Sequence, residues 1–518
     1  MLKLLSLDVW DTLLRRRCAA NAIKLQTCLY LLIRHRQQLA PAFNSHWKLF
    51  YERQRHEDGL AMAAHSAGHD DEYTINELFT AWLGTVITDA EGIPALVEEL
   101  VALELANEFA HSYPDPDIAA LIEAYPAQQR AFISDFYMDA PTIHRLLTEK
   151  GLGHYFAQGF CSCDHLRNKN SGRLFAHVHQ TLGVAPSSHL HIGDHPHADF
   201  ANARRAGMQS VLFRPARETA RKQIHERLIQ KRGNLLRHLD TLTARSLAKA
   251  RASRPQEDGL NPYEEIGRQA APLLLACCLR IAQTAIEREV KSIRFAHDSQ
   301  LLRLAYSRLF PNKRFAGIPL PDCEQADPQE VSPAAENTLL VTLTLPDTPP
   351  ATLNPVACYA SLDAARGSAW HQIFATPSGS DTLPGSPNES LRRGMLFALD
   401  TWQEFADCYA LTADELDEVA GRIAARSPLS LLPPDAMQAG DPGDLFGQNG
   451  YFADAELPTL GNFISVPCSS EVRAKLHSFL AEIDQAPHTN PLRKMGPIRR
   501  SAFTVLLNLV RKVRRDTQ

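Results

Sequence analysis

The chain has no long apolar run. No stretch approaches the roughly 18 residues that a membrane span requires, and the nearest is APLLLACCL at 271–279. The ten cysteines are scattered, with Cys161/Cys163 and Cys277/Cys278 as close pairs, and none forms the doubled C-x-x-C spacing of a structural zinc site. Reduced thiols and a cytoplasmic location are the reading. Neither sign of charge dominates: 54 basic residues face 59 acidic ones, a balance of −5. Nothing global therefore points to nucleic acid or to a strongly anionic partner. There is no repeat at a fixed period. At the N-terminus, MLKLLSLDVWDTLL, Asp8 and Asp11 interrupt the leucines before signal-peptide length, so this segment reads as a buried strand.

What is present is a chain of 518 residues with 44% hydrophobics, too long for one core and too apolar to be disordered. Short apolar runs ending in polar residues occur at 3–8 (KLLSLD), 131–135 (AFISD) and 188–194 (SHLHIGD). Between the first and second, periodic Leu, Ile and Ala predict helices, an inserted cap at about 18–112. After the second, helices and strands alternate up to MQSVLF at 208–213, the rhythm of a parallel sheet. The fold class expected is α/β: a Rossmann-like core at 1–216 with that cap, a basic helical linker at 217–258, a second α/β unit at 259–490 and a basic amphipathic helix at 491–518. The region 345–390, rich in Pro, Ser, Gly and Thr, reads as loop-heavy.

Loops at the carboxyl ends of adjacent parallel strands converge on one crevice, so Asp8, Ser134 and Asp194 can meet without being near in sequence. The set hhhDxWDT at 5–12, hhhS at 131–134, Lys169 in NKNSGRLF and GDHPHAD at 193–199 resembles the four motifs of the haloacid dehalogenase superfamily over roughly residues 1–216. The resemblance implies a hydrolase with Asp8 as nucleophile. Chemistry supports each assignment: a carboxylate beside a divalent cation can attack phosphorus without losing a proton. The charge spread over a phosphoryl group calls for Lys169, Ser134 and Thr12 around it. Mg2+ takes hard oxygen ligands, which Asp8, Asp194 and the Trp10 carbonyl would supply, with Asp199 binding through water or orienting Lys169.

One position departs from the family pattern. Its phosphatases carry an acid two residues after the nucleophile, where this chain has Trp10 and places Asp11 one residue later. The superfamily's dehalogenases are aromatic there. Asp11 is then either a displaced general acid or the cap of a following helix. Trp10 is either a packing residue or a substrate platform, and Arg15, Arg16 and Arg17 read as a solvated helix start or as a greeting to an anionic substrate. His189, His191, His195 and His197 read as loop histidines beside the metal site, with a transition-metal site as the rival.

SLDVWDTLLRR with ISDFYM is most similar to a branch of large predicted hydrolases of this superfamily that accompany glycosyltransferases in bacterial surface-polysaccharide systems. FAHD at 295–298 lacks a second acid at motif spacing, which makes the second unit noncatalytic. The helix at 497–515 carries an apolar stripe flanked by basic residues. It would lie on an anionic membrane or dock on its own protein. The expectation is a magnesium-dependent phosphatase, cytoplasmic or peripheral on the inner membrane face. Its substrate would be a small phosphorylated compound such as a sugar or polyol phosphate, and its partners glycosyltransferases. The alternatives are a noncatalytic scaffold and a carbon-centre dehalogenase, which chelation would separate.

Overall fold

The computed structural model describes residues 2–230, 262–296, 299–325, 338–341, 354–356 and 387–416. The helix read at 491–518, most of the basic linker and most of 345–390 lie outside the described residues. The apolar runs found in the sequence are the centre of a five-stranded sheet. Its strands are β1 (Leu4–Leu7), β4 (Gln129–Ser134), β5 (Gln158–Cys161), β6 (His189–Gly193) and β7 (Gln209–Leu212), in the order β5-β4-β1-β6-β7. Every pairing in it is parallel, and Leu7 is level with both Phe132 and Ile192. All four residues of β1 are buried, as a strand covered on both faces requires.

The chain leaves this sheet through β2 (Leu14–Arg16) and returns through β3 (Ser112–Pro114), which pair as an antiparallel ribbon. Between them lie α1 (Ala20–Arg34), α2 (His46–Ser66), α3 (Ile75–Val86) and α4 (Ile93–His111). The start of α3 is fixed by a capping box in which Thr74 and Glu77 satisfy each other's backbone N–H groups. Its buried stripe is Leu78, Phe79, Trp82, Leu83 and Val86. Arg53 of α2 donates to both oxygens of Glu104 in α4, at 2.6 and 2.7 Å, and Tyr137 from the loop after β4 donates to the same carboxylate at 2.7 Å. The helical insertion is thereby tied to the strand end that carries Ser134.

Arg15 and Arg16 do not begin a helix. They lie in β2, where Arg15 donates to Asp115 at 2.7 Å and Arg16 makes a two-pronged contact with Glu108 at 2.8 Å on each branch. A solvated helix start is therefore the wrong reading. Sequence periodicity missed the ribbon because three residues are too few to show alternation.

After β7 come α5 (Ala216–Gln230), α6 (Pro262–Glu287) and a second sheet. That sheet, of β8 (Ser292–Phe295), β9 (Asp322–Gln325), β10 (Thr338–Val341) and β11 (Asn354–Val356), has the order β9-β8-β10-β11 with every pairing parallel. Helix α6 crosses α7 (Pro387–Tyr409) closely. A Cβ on Gly267 would meet the Leu391 carbonyl at 2.0 Å, and one on Gly394 the Glu264 carbonyl at 2.1 Å. The reading that no stretch approaches the length of a span does not hold: among the described residues Ala270–Glu287 within α6, which contains APLLLACCL, is long and apolar enough to cross a bilayer, and most of it is packed inside the protein.

Candidate active site

The carboxyl ends of β1, β4 and β6 bring Asp8, Ser134 and Asp194 to one edge of the sheet, where Lys169 arrives from the loop preceding the helix Arg173–Leu182. Lys169 is nearly inaccessible and donates to Asp8, and to Asp199 at 2.6 Å. Its backbone N–H donates to Asp135 at 2.9 Å, which fixes the loop that carries it. Thr12 donates to Asp8 Oδ2 at 3.2 Å. Ser134 is fully buried, and its hydroxyl has no protein partner among the described residues. A buried hydroxyl without a partner is uncommon, and here it sits at the strand end beside the acidic cluster, free to meet a bound oxyanion.

Carboxylate oxygens of Asp8, Asp194 and Asp199 lie within 4.8 Å of one another, a donor set that suits a divalent cation. Asp199 is heavily used by the protein. Its Oδ1 meets Lys169 and the His191 Nε2 at 3.1 Å, and its Oδ2 accepts the His195 N–H at 2.9 Å. Asp8 accepts one bond on each oxygen and Asp194 faces Lys222 at 3.6 Å, so these two are less committed to the protein than Asp199, which takes three contacts.

Burial raises the Asp8 carboxyl well above its ordinary range; Lys169 opposes that shift, and Asp199 and Asp194 add to it. Burial would also raise Asp199, but Lys169 and His191 outweigh it and hold Asp199 below the usual carboxylate range. Burial disfavours the Lys169 ammonium, yet Asp199, Asp8 and Asp135 together keep it more basic than a free lysine. Burial raises Asp194. A cation placed among these oxygens would favour the ionised form of Asp8, which attack on phosphorus requires.

Trp10 is buried, with the Arg16 guanidinium 3.6 Å from its ring centroid and Phe136 at 5.0 Å. Asp11 caps no helix. It has φ 61°, in the left-handed region that Asp tolerates better than most residues, and its N–H donates to the Leu14 carbonyl at 2.8 Å to close a turn into β2. Its carboxylate faces Lys222 of α5 at 2.5 Å, and Lys222 also lies 3.6 Å from Asp194.

His189 and His191 are fully buried residues of β6, not loop histidines. Ser6 on the neighbouring strand bridges them, at 2.6 Å to His189 Nε2 and 2.7 Å to His191 Nδ1. His195 does sit in a loop, where its Nδ1 accepts the Ala198 N–H at 3.0 Å. Burial, with His191 and His179 adding, depresses His189 to about 2. Below the free-histidine value near 6.5 the unfolded chain takes up a proton that the folded one refuses, so His189 makes stability fall as pH falls, by about 1.4 kcal/mol per pH unit. Urea unfolding between pH 6 and 4.5 should show a shallower pH slope in His189→Gln than in the wild type. Equal slopes would mean that position 189 is not a neutral histidine in the fold.

Sequence reading missed Asp135, Ser6 and Lys222 as parts of this cluster, and it placed His191 beside the site but in a loop rather than in β6. Asp135 had a signal, since it follows Ser134 directly. Lys222 had none, being one of many basic residues in a stretch read as linker.

Residues 166–232 match a family model described as HAD-hydrolase-like. Among solved structures, a 2-haloacid dehalogenase from Pseudomonas syringae pv. tomato is 24% identical over 41% of this chain and 86% of its own, with a TM-score of 0.32. An HAD phosphatase from Thermococcus onnurineus is 16% identical over 41% and 87%, with a TM-score of 0.29. A predicted phosphoglycolate phosphatase from Haemophilus somnus is 16% identical over 41% and 84%, at 0.27. No curated protein matches the chain. The haloacid dehalogenase resemblance is borne out over residues 166–232, the stretch that carries Lys169, Asp194 and Asp199.

Proposed function

We propose that this chain is a magnesium-dependent phosphohydrolase that transfers the phosphoryl group of a small phosphorylated compound to Asp8 and then to water. The observation that carries the reading is the buried cluster of Asp8, Lys169, Asp194 and Asp199 beside the partnerless Ser134 hydroxyl. Mg2+ held by Asp8 and Asp194 would supply positive charge for the phosphoryl oxygens and keep Asp8 ionised. Lys169 and Ser134 grip those oxygens, and Thr12 orients the nucleophile. A sugar or polyol phosphate of glycan assembly, glycosyltransferase partners and a membrane contact through the C-terminal segment belong to the same proposal.

A panel of phosphorylated metabolites assayed with and without magnesium tests it. Chelation should abolish turnover. Activity on a 2-haloacid that survives chelation would instead support a carbon-centre hydrolase, the rival that the aromatic residue at position 10 favours. Inactivity on both classes would favour the scaffold.

Ser134→Ala should separate stability from chemistry. No protein hydrogen bond is lost, so the unfolding midpoint should be unchanged or raised. Turnover should fall by about 10- to 100-fold, a little under the usual cost of losing one oxyanion donor. A variant that melts lower and turns over normally would assign Ser134 to the fold.

A further inference from the structure

The position that usually holds the acid for the leaving group is occupied by Trp10, whose buried indole N–H has no protein partner among the described residues and whose ring is covered by Arg16. Asp11 does not replace it, because its carboxylate accepts from an ammonium at 2.5 Å. That ammonium belongs to Lys222, which follows the last strand of the first sheet. Helix α5 is fastened to the ribbon that carries the cap: Tyr113 of β3 donates to Glu218 at 2.6 Å, and Arg221 donates to the Tyr113 oxygen at 2.7 Å. This anchorage delivers Lys222 to Asp11 and Asp194 at the rim of the cluster.

Two lysines therefore flank the acidic site. The Lys169 side chain is 4% exposed and sits against the nucleophile, whereas that of Lys222 is 40% exposed and meets the cluster from its solvent side, one carboxylate away from Asp8. In-line displacement puts the leaving oxygen on the far side of phosphorus from the nucleophile. Lys222 has three N–H groups, and Asp11 and Asp194 face two at most.

We propose that Lys222 is a catalytic residue for the leaving group, its ammonium donating a hydrogen bond to the bridging oxygen and balancing the charge that develops there. This rests on the phosphohydrolase reading. As the Asp8 oxygen bonds to phosphorus, the P–O bond to the leaving group breaks and its electron pair stays on the leaving oxygen beside Lys222. That oxygen takes a proton from water, and the hydroxide formed is consumed when the aspartyl phosphate is hydrolysed and Asp8 regains its electron pair. Asp11 is a positioning residue that holds the ammonium in place.

The test compares kcat/KM for an alkyl phosphate, whose leaving group is poor, and p-nitrophenyl phosphate, whose leaving group needs little help. Lys222→Met should lose about 100-fold on the alkyl ester, the scale of one preorganised donor, and less than about tenfold on the aryl ester. Lys222→Arg, which keeps the charge and the donors, should recover the alkyl ester to within about tenfold of wild type. Thermal unfolding of each variant confirms that the half-exposed position is not needed for folding. Equal losses on both esters, or an arginine variant no better than methionine, would overturn the assignment alone. A wild type that hydrolyses neither ester would overturn the phosphohydrolase reading and this inference with it.

Discussion

Asp8→Asn should lower turnover on any phosphate monoester by on the order of 10⁴-fold or more, the scale on which loss of a nucleophile is felt when only binding and oxyanion contacts remain. The amide keeps the side chain's shape but cannot attack phosphorus and is a weak magnesium ligand. Asp8 also accepts from Lys169 and Thr12 in the buried cluster. An amide oxygen can accept one of those bonds, so the fold should survive. Burial already opposes the charge on Asp8 in the wild type, and a neutral side chain there costs little. Phosphate or vanadate should still bind the variant, because Lys169 and Ser134 are intact. Rapid-quench assays of phosphoenzyme supply the check: wild type should show an acid-stable phosphoryl adduct, and Asp8→Asn should show none. Turnover persisting in a clean preparation would end the mechanism.

Lys169→Ala should be worse for the fold and nearly as damaging to the chemistry. The lysine compensates Asp8 and Asp199, both buried, and its removal leaves carboxylates that repel one another and any phosphate. Breaking a buried pair in this way costs about 3–5 kcal/mol. The penalty depends on pH with a defined sign. In the wild type Lys169 helps hold Asp199 below its unfolded value, a contribution present at neutral pH and lost on acidification. In the variant burial is unopposed by the lysine, so Asp8 titrates further above the unfolded value near 4 while Asp199 keeps only His191 to hold it down, and the folded state binds more protons than the wild-type fold does. The deficit relative to wild type should therefore be greatest at pH 7–8 and shrink toward pH 5. Denaturant unfolding at pH 7.5 and 5, with and without magnesium, measures this, and a divalent cation should restore part of the loss. A deficit independent of both pH and metal would mean that the lysine contributes packing alone, and turnover within tenfold of wild type would remove it from the mechanism.

Much of this site was legible in the sequence because parallel strands are read as short apolar runs and their last residues face one crevice whatever the intervening length. Asp8, Ser134 and Asp194 come from such ends, and Lys169 was legible through the resemblance of NKNSGRLF to a motif of the haloacid dehalogenase superfamily. The cap was legible for a different reason. A hundred residues of helical periodicity between two strands can only be an insertion.

What could not be read is which side chain meets which. Asp11 stood open between a helix cap and an acid, and the backbone turn closed by Leu14 removes the cap, with Lys222 opposite its carboxylate. Arg15 and Arg16 looked solvated and are buried against Asp115 and Glu108, 100 and 92 residues downstream, across the cap. His189 and His191 looked like loop residues because histidine is rare inside strands, yet Ser6 on the adjacent strand supplies the hydrogen bonds that make their burial tolerable. Sequence fixes residue type and period, which determine the strands, the helices and the order of the acidic strand ends. Pairing between distant groups depends on register and on the path of the cap and of α5, and these are set by packing energies summed over the whole core. Only the folded chain could decide that Asp199 meets Lys169, that among the described residues the Ser134 hydroxyl has no protein partner, and that a lysine beyond the last strand of the first sheet reaches the rim of the site.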